Sequence, residues 1–288
     1  MRVGRVEAIH RYPVKSTAGE SLASVELGLG GIPGDRSWAV RDEERGGITG
    51  AKKWPDLMRF SSRFPQYDLE AAPCPAEITF PDGTQASTAD PDINDRLSVA
   101  LGHSVSLWPL QPADALDHYR RGKPTHDDME TELRAIFGRT PDEALPDLSV
   151  FPPEIFQFSS PPGTYFDAFP LLIMTHASLA TLQARAPESR FDARRFRPNF
   201  LIDDTDSSEP FPERAWCGKQ LEMGEALIEI IMECPRCVMT THGFDDLKKD
   251  PSVMRALVRE TDGNLGVYAK PVKPGRIQAG DAVRLMAD

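Results

Sequence analysis

Cysteine is scarce in this chain, with four among 288 residues: Cys74, Cys217, Cys234 and Cys237. So thin a set makes no disulfide framework, and a chain of this length can bury one large core or two modest ones without such staples. Long apolar runs are missing too. The longest, at 169–174 and 227–232, fall far short of the roughly 20 residues that cross a bilayer as a helix, which argues against a membrane-spanning protein. Positive charge is in deficit, because 33 Lys and Arg face 44 Asp and Glu. The net charge of −11 works against non-specific binding to nucleic acid or an anionic membrane, so an anionic ligand would need a local basic pocket. No G-x-x-x-x-G-K-[ST], no G-x-G-x-x-G, no repeat and no low-complexity tract is present, and nothing points to an NTPase or a Rossmann oxidoreductase. The first ten residues carry charges where a signal peptide would place its apolar stretch, so the expected address is cytoplasmic.

What is present reads as a strand-rich globular protein, since 40% of residues are apolar and 27% charged, proportions that exclude wholesale disorder. Val25, Leu27 and Leu29 alternate with smaller or polar residues, as do Trp38 and Val40, and Ala76-Glu-Ile-Thr-Phe80 runs into the turn Pro81-Asp-Gly-Thr84. A helix is expected over Ile93–Leu101, stopped by Gly102, followed by a strand at 104–108. Residues 111–163 are rich in proline and acidic groups and carry only one helical pattern, at 126–137 with Met129, Leu133 and Ile136 as its apolar side. Thr175 is placed to cap a helix running to Arg185, and Asp250 to cap another over 251–260. Strands are expected at 200–202, 220–223, 226–232, 265–268 and 282–285, with a tight turn at Gly224-Glu225. Such hairpin spacing argues for an α+β, barrel-rich fold and against a doubly wound parallel sheet. The expected organisation is a β-barrel-like unit over 1–110, a Pro-rich connection or lid over 111–163, and a second β-barrel unit with a few peripheral helices over 164–288.

Cys234-Pro-Arg-Cys237 follows the apolar run that ends at Met232 and precedes Val238-Met-Thr-Thr-His242. Four chemistries fit such a pair. A dithiol redox couple needs a helix start, which a Val-Met-Thr-Thr stretch provides poorly. A zinc site would enlist Cys217 and His242 at irregular spacing. Both cysteines are otherwise buried small hydrophobes, or one is a thiolate ligand of a soft or high-valent metal beside Arg236.

Several separated segments together resemble the MOSC family, in the arrangement that carries an N-terminal β-barrel domain and includes the mitochondrial amidoxime reducing component. They are Tyr12-Pro-Val-Lys-Ser16, Gly34-Asp-Arg-Ser-Trp38, Phe196-Arg-Pro-Asn199, Cys234-Pro-Arg-Cys-Val-Met-Thr-Thr241, and Leu265-Gly-Val-Tyr268 with Gly280-Asp281. Only 111–163 has no counterpart. The resemblance implies a molybdenum cofactor, a molybdopterin whose metal takes one protein cysteine, here Cys237. It further implies that Lys15, Ser16 and Arg36 hold the anionic cofactor, that Arg197, Asn199 and Arg236 line its pterin and metal, that Thr240 and Thr241 are candidate hydrogen-bonding partners, and that Asp167 is an acidic neighbour of the metal able to relay a proton. Lys, Ser and Arg offer a phosphate a point charge, a hydroxyl and a fork. His242 departs from the acidic turn of the amidoxime-reducing members, which bears on substrate choice and not on the cofactor.

The expected function is therefore a molybdenum-cofactor oxidoreductase that reduces N-hydroxylated small molecules. With no spare group of four cysteines for an iron–sulfur cluster, its electrons would come from a separate electron-transfer protein. The alternative is a cofactor carrier or sulfur-transfer module without reductase activity, in which Cys237 holds a persulfide.

Overall fold

In a computed structural model the structure describes residues 1–68, 73–151, 153–204 and 209–286. The chain order is β1 (Arg2–Arg11), β2 (Glu20–Leu22), β3 (Ser24–Leu27), β4 (Trp38–Asp42), β5 (Ser61–Arg63), β6 (Glu77–Thr79), β7 (Gln85–Ser87), α1 (Ile93–Leu101), β8 (Val105–Pro109), α2 (Leu116–Tyr119), α3 (Met129–Phe137), β9 (Leu171–Thr175), α4 (His176–Arg185), β10 (Phe200–Asp203), β11 (Gln220–Met223), β12 (Ala226–Pro235), α5 (Ser252–Thr261), β13 (Asn264–Lys273), β14 (Gly275–Gln278) and β15 (Ala282–Leu285). The fold is α+β and strand-rich, as expected. Among the described residues no helix is long and apolar enough to cross a membrane.

Alternation builds the main sheet. Ala226, Ile228 and Ile230 of β12 point inward while Leu227 and Glu229 lie nearer solvent, and Val6 and Ile9 of β1, Leu221 and Met223 of β11 and Val267 and Ala269 of β13 fill the same interior. The strands run in the order β10-β9-β13-β12-β11-β15-β1-β2, and pairing of β1 with β10 closes seven of them into a barrel. All pairs are antiparallel except β9 with β10, which α4 connects as a crossover. That exception explains the apolar run at 171–174. Leu171 and Ile173 enter the barrel while Leu172 and Met174 face Leu179 and Leu182 of α4 and Val253, Met254 and Leu257 of α5, so the strand is buried on both faces.

The smaller sheets β4-β8 and β5-β6-β7 enclose a second core with Leu57, Phe60, Ile78, Leu97 and Leu107. Two crossings tie the halves of the chain together. β1 and β2 belong to the barrel sheet and β3 pairs with β14, while Met239, Phe244 and Leu247 from the later half pack into the core of the earlier one.

Local expectations met three departures. α3 begins at Met129, capped by Asp128, and it is Glu132 that is buried while Met129 is exposed. Glu132 accepts from the backbone N–H groups of Thr125 and His126, both at 3.0 Å, and pairs with Lys53 at 3.0 Å, so a carboxylate is the buried anchor of the segment, while Leu133 and Ile136 of the expected apolar side are half-buried. Asp250 stands one residue ahead of the α5 cap position and accepts from Ser252 N–H at 2.9 Å. Segment 111–163, of which residue 152 lies outside the described residues, carries α2 and α3 and packs Tyr119 and Phe158 with Tyr165 against Ala39 and Ile48.

Candidate functional site

The last strand residue of β12, Pro235, leads directly into Arg236 and Cys237, and Cys237 caps a single 3-10 turn, Val238–Thr241. The stretch that reads as a poor helix start therefore does turn helically, for one turn only. Arg195, buried at 2% exposure, fastens that turn by donating to the carbonyls of Thr240 (3.3 Å), His242 (3.0 Å) and Lys248 (2.7 Å). His242 Nε2 lies 3.0 Å from the carbonyl of Ala51, which can only accept, so Nε2–H is the donor, and burial pushes the ring pKa down.

Cys237 opens into a pocket that also touches Lys15, Ser16, Arg36, Asp167, Arg197, Asn199 and Arg236. Eight of the ten expected site residues thus converge from five separate stretches of chain. Thr240 and Thr241 do not. Their hydroxyls donate to the carbonyls of Cys237 (3.1 Å) and Val238 (2.7 Å), and they stabilise the turn instead of facing the pocket. The zinc grouping is also overturned, because Cys217 packs on the barrel interior, Cys234 lies beneath α4 and α5, and His242 is bonded to Ala51. Cys234 is 2% exposed, and burial raises its thiol pKa. It accepts from Arg236 Nη1 at 3.0 Å, which leaves Cys237 as the accessible thiol of the pair.

Asn199 is a fixed part of the frame. Its Oδ1 accepts from Leu172 N–H (3.1 Å) and Arg36 Nη1 (3.2 Å), and its Nδ2 donates to Asp35 Oδ2 (2.9 Å) and the His10 carbonyl (3.2 Å). Asp35 in turn pairs with Arg36 and accepts from Tyr12 N–H at 2.7 Å. Asn199 therefore positions Arg36. Tyr12 lies between two cations, with the Arg36 guanidinium 4.7 Å and that of Arg197 4.2 Å from its ring centre. Burial drives its hydroxyl pKa up to about 12, and it donates to the Pro198 carbonyl at 2.9 Å.

Lys15 has three protons and three acceptors on one segment: the Tyr165 carbonyl (2.6 Å), Asp167 Oδ1 (2.9 Å) and Ser160 Oγ (3.4 Å). Lys52 joins it at 3.3 Å from Asp167. Burial opposes ionisation of Asp167, but the two ammonium groups outweigh it and hold the carboxyl well below its usual range. A carboxylate so held is the counter-ion of Lys15 and Lys52, and in the relay that the resemblance implies for Asp167 it would accept a proton before giving one.

Ser16, Arg36 and Arg197 all have left-handed backbones (φ 74°, 50° and 59°), three of five such non-glycine residues among those described. Strain of this kind persists where surrounding contacts over-determine it. Here Ser16 Oγ accepts from Ala51 N–H at 3.0 Å, an approach for which Gly50 leaves room. Tyr12 and Asp35 sat unremarked inside the sequence segments quoted above, whereas Lys52 and Arg195 carry no sequence signal that separates them from surface charges.

The chemistry of this donor set is that of an anion site with one soft ligand. Arg36, Arg197 and Arg236 face it, and the buried Nε of Arg236 has no partner among the described residues, a donor waiting for an acceptor. Molybdopterin, an anion with a thiolate-binding metal, fits those groups. Space is narrower, since the chamber holds about 90 Å³ and is walled by Tyr165, Phe166, Asp167 and Phe169.

The fold and site define a two-part protein in which a closed barrel and a smaller β unit share one basic, thiol-bearing pocket. Residues 161–284 match the MOSC domain and residues 3–105 the MOSC N-terminal beta barrel domain, and the chain belongs to the MOSC family in this two-part form. It is 28% identical to human mitochondrial amidoxime reducing component 2 over 99% of this chain and 84% of that protein, and 26% identical to human mitochondrial amidoxime-reducing component 1 with the same coverages. Among solved structures, the YUAD protein of Bacillus subtilis aligns over 97% of this chain and 93% of its own at 11% identity and TM-score 0.43. YiiM of Escherichia coli aligns over 42% of this chain at 18% identity and TM-score 0.32, and the chain spans 55% of that structure.

Proposed function

We propose that this protein binds a molybdenum cofactor through Cys237 and reduces N-hydroxylated small molecules with electrons from a separate protein. The observation that carries the reading is the convergence of Arg36, Arg197 and Arg236 on one accessible thiol in a chain of net charge −11. The names of the relatives, each an amidoxime reducing component, support both the substrate class and the need for a partner.

When bound, such a cofactor supplies two-electron removal of oxygen from an N–OH group, with two protons consumed and water released. The residues of this chain do the rest. Cys237 offers the soft ligand, and the turn pinned by Arg195 fixes its direction. Arg236, held by its 2.6 Å bond to the Phe196 carbonyl and by Cys234, keeps Nε for an acceptor. Arg36 is aimed by Asp35 and Asn199. Lys15, engaged with the 160–167 segment at the pocket wall, would hold the anionic end of the cofactor by exchanging one of those acceptors for it. Lys52 remains to hold Asp167.

The test is metal content by inductively coupled plasma mass spectrometry on protein from a host that makes molybdenum cofactor. Near-stoichiometric molybdenum in the native chain and background levels in Cys237→Ser are expected, and full metal in Cys237→Ser overturns the ligand assignment. Molybdenum without turnover of any N-hydroxylated compound moves the protein to the cofactor carriers. A one-sulfur mass increment on Cys237 moves it to the sulfur-transfer proteins.

A further inference from the structure

The roomiest cavity of the two described lies elsewhere, behind Tyr12. It encloses about 540 Å³, within the range that takes a drug-sized ligand, whereas the Cys237 chamber encloses about 90 Å³. Its walls come from both units: Tyr12 of the turn after β1, Met58 and Phe60 ahead of β5, and Pro198 and Phe244 from the later half.

Four charged groups and one histidine reach it: Arg59, Arg194, Arg197, Asp245 and His10. Arg194 is satisfied by Asp192 (2.8 Å), Asp246 (2.8 Å) and Asp245 (3.1 Å). Arg59 is exposed and 3.5 Å from Asp56. His10 lies 3.2 Å from Ser21 Oγ, and burial lowers its pKa. Arg197 is different. Among the described residues it makes no ion pair, its one hydrogen bond goes to the Thr17 carbonyl, and its guanidinium carbon lies 4.2 Å from the Tyr12 ring centre. The nearby Asp35 is already taken by Arg36, Asn199 and Tyr12 N–H. A half-buried guanidinium without a counter-ion, beside an aromatic and thioether wall, calls for an anion with an apolar body. The left-handed backbones of Arg197 and Asp245, two of the five found, both lie on this cavity.

We propose that this cavity is a second small-molecule site, for a flat aromatic acid whose carboxylate pairs with Arg197 and whose ring lies among Met58, Phe60 and Phe244. Arg197 lines both cavities, so the two ligands share one guanidinium. Because the cofactor reading also uses Arg197, the carboxylate assignment rests on that reading as well, whereas the cavity-filling variants below leave Arg197 in place and test the site apart from it.

The experiment is isothermal titration calorimetry of 2-naphthoate into the full chain, with neutral 2-naphthamide as control. Saturable binding of the acid is expected, at least about tenfold tighter than that of the amide. Two substitutions add bulk at lining residues from the two halves of the chain, Ser61→Trp and Ala193→Phe, and each folded variant is expected to weaken the acid at least about tenfold. Arg197→Gln is expected to erase the preference for acid over amide while the amide affinity stays. No binding up to the solubility of the acid overturns the proposal, as does acid binding that survives both folded filling variants. Equal affinity for acid and amide in the native chain, or a preference that Arg197→Gln leaves intact, overturns the assignment of Arg197.

Discussion

Asn199 makes four hydrogen bonds with one carboxamide, one to β1, one to β9 and two to the Asp35–Arg36 pair. Asn199→Ala leaves the Leu172 N–H and the His10 carbonyl without this partner and takes one donor from Asp35, which keeps Arg36 and Tyr12 N–H, and a loss of about 1–3 kcal/mol in urea unfolding is expected with no ligand present. Were Asn199 only a cofactor contact, that midpoint would not move. The two cysteines of the motif separate in the same measurement. Cys234→Ala deprives Arg236 Nη1 of its acceptor in a buried site and should cost about 1–3 kcal/mol. Cys237→Ser, at a half-buried thiol, should stay within about 0.5–1 kcal/mol while losing the metal. The sequence segments pointed to all three residues. They did not distinguish a frame from a contact, because that depends on which acceptors the fold brings within 3 Å.

At the scale of elements, two stretches around the pocket lie where no sequence pattern placed them. Segment 160–167 is held to the barrel by the three bonds of Lys15 and by Lys52, so Asp167→Asn removes the counter-ion of both. Chymotrypsin is expected to cut after Phe166 several-fold faster in that variant; unchanged cutting would show that the ammonium groups do not hold the segment. The other is the end of α3. Arg139, 6% exposed, lies so close to Gly263 that a Cβ there would overlap its guanidinium, and Gly263 has φ 83° and accepts from Arg236 N–H at 2.9 Å. Gly263→Ala is expected to destabilise by about 1–3 kcal/mol through strain and overlap. Arg139→Ala in the same chain should return part of that loss, a coupling that a double-mutant cycle reads directly. The lengths of α1 and α4 and the hairpin at Gly224 were legible because caps and turns are local. The docking of α3 was not, because Glu132 faces inward to meet Lys53 and two backbone donors, against the apolar pattern of the helix.

For the whole molecule, pH separates two sets of buried groups. Burial lowers the pKa values of His10, His118 and His242, so their contribution to stability is full above the unfolded value of 6.5 and is lost as pH falls through the lower folded values. Burial raises those of Glu213 and Asp204, whose contribution is full below the unfolded values of 4.5 and 3.8 and is lost as pH rises through the folded ones. The two sets oppose each other in weakly acidic solution. Urea midpoints from pH 5 to 8 are expected to rise with pH more steeply in Glu213→Gln than in the native chain, and parallel curves would remove Glu213 from the account.

The sequence by itself determined the alternation that makes the strands, the caps and glycines that end helices, the acidic net charge that demands a local basic pocket, and the segments that carry the MOSC resemblance. All are properties of neighbouring residues or of composition. It took the tertiary structure to close β1 against β10, to open Cys237 while burying Cys234, to bind Lys15 to segment 160–167, and to stand Arg197 on two cavities with no carboxylate of its own among the described residues. Each of those depends on which of many distant groups come within a few ångströms, and burial then sets how strongly they interact.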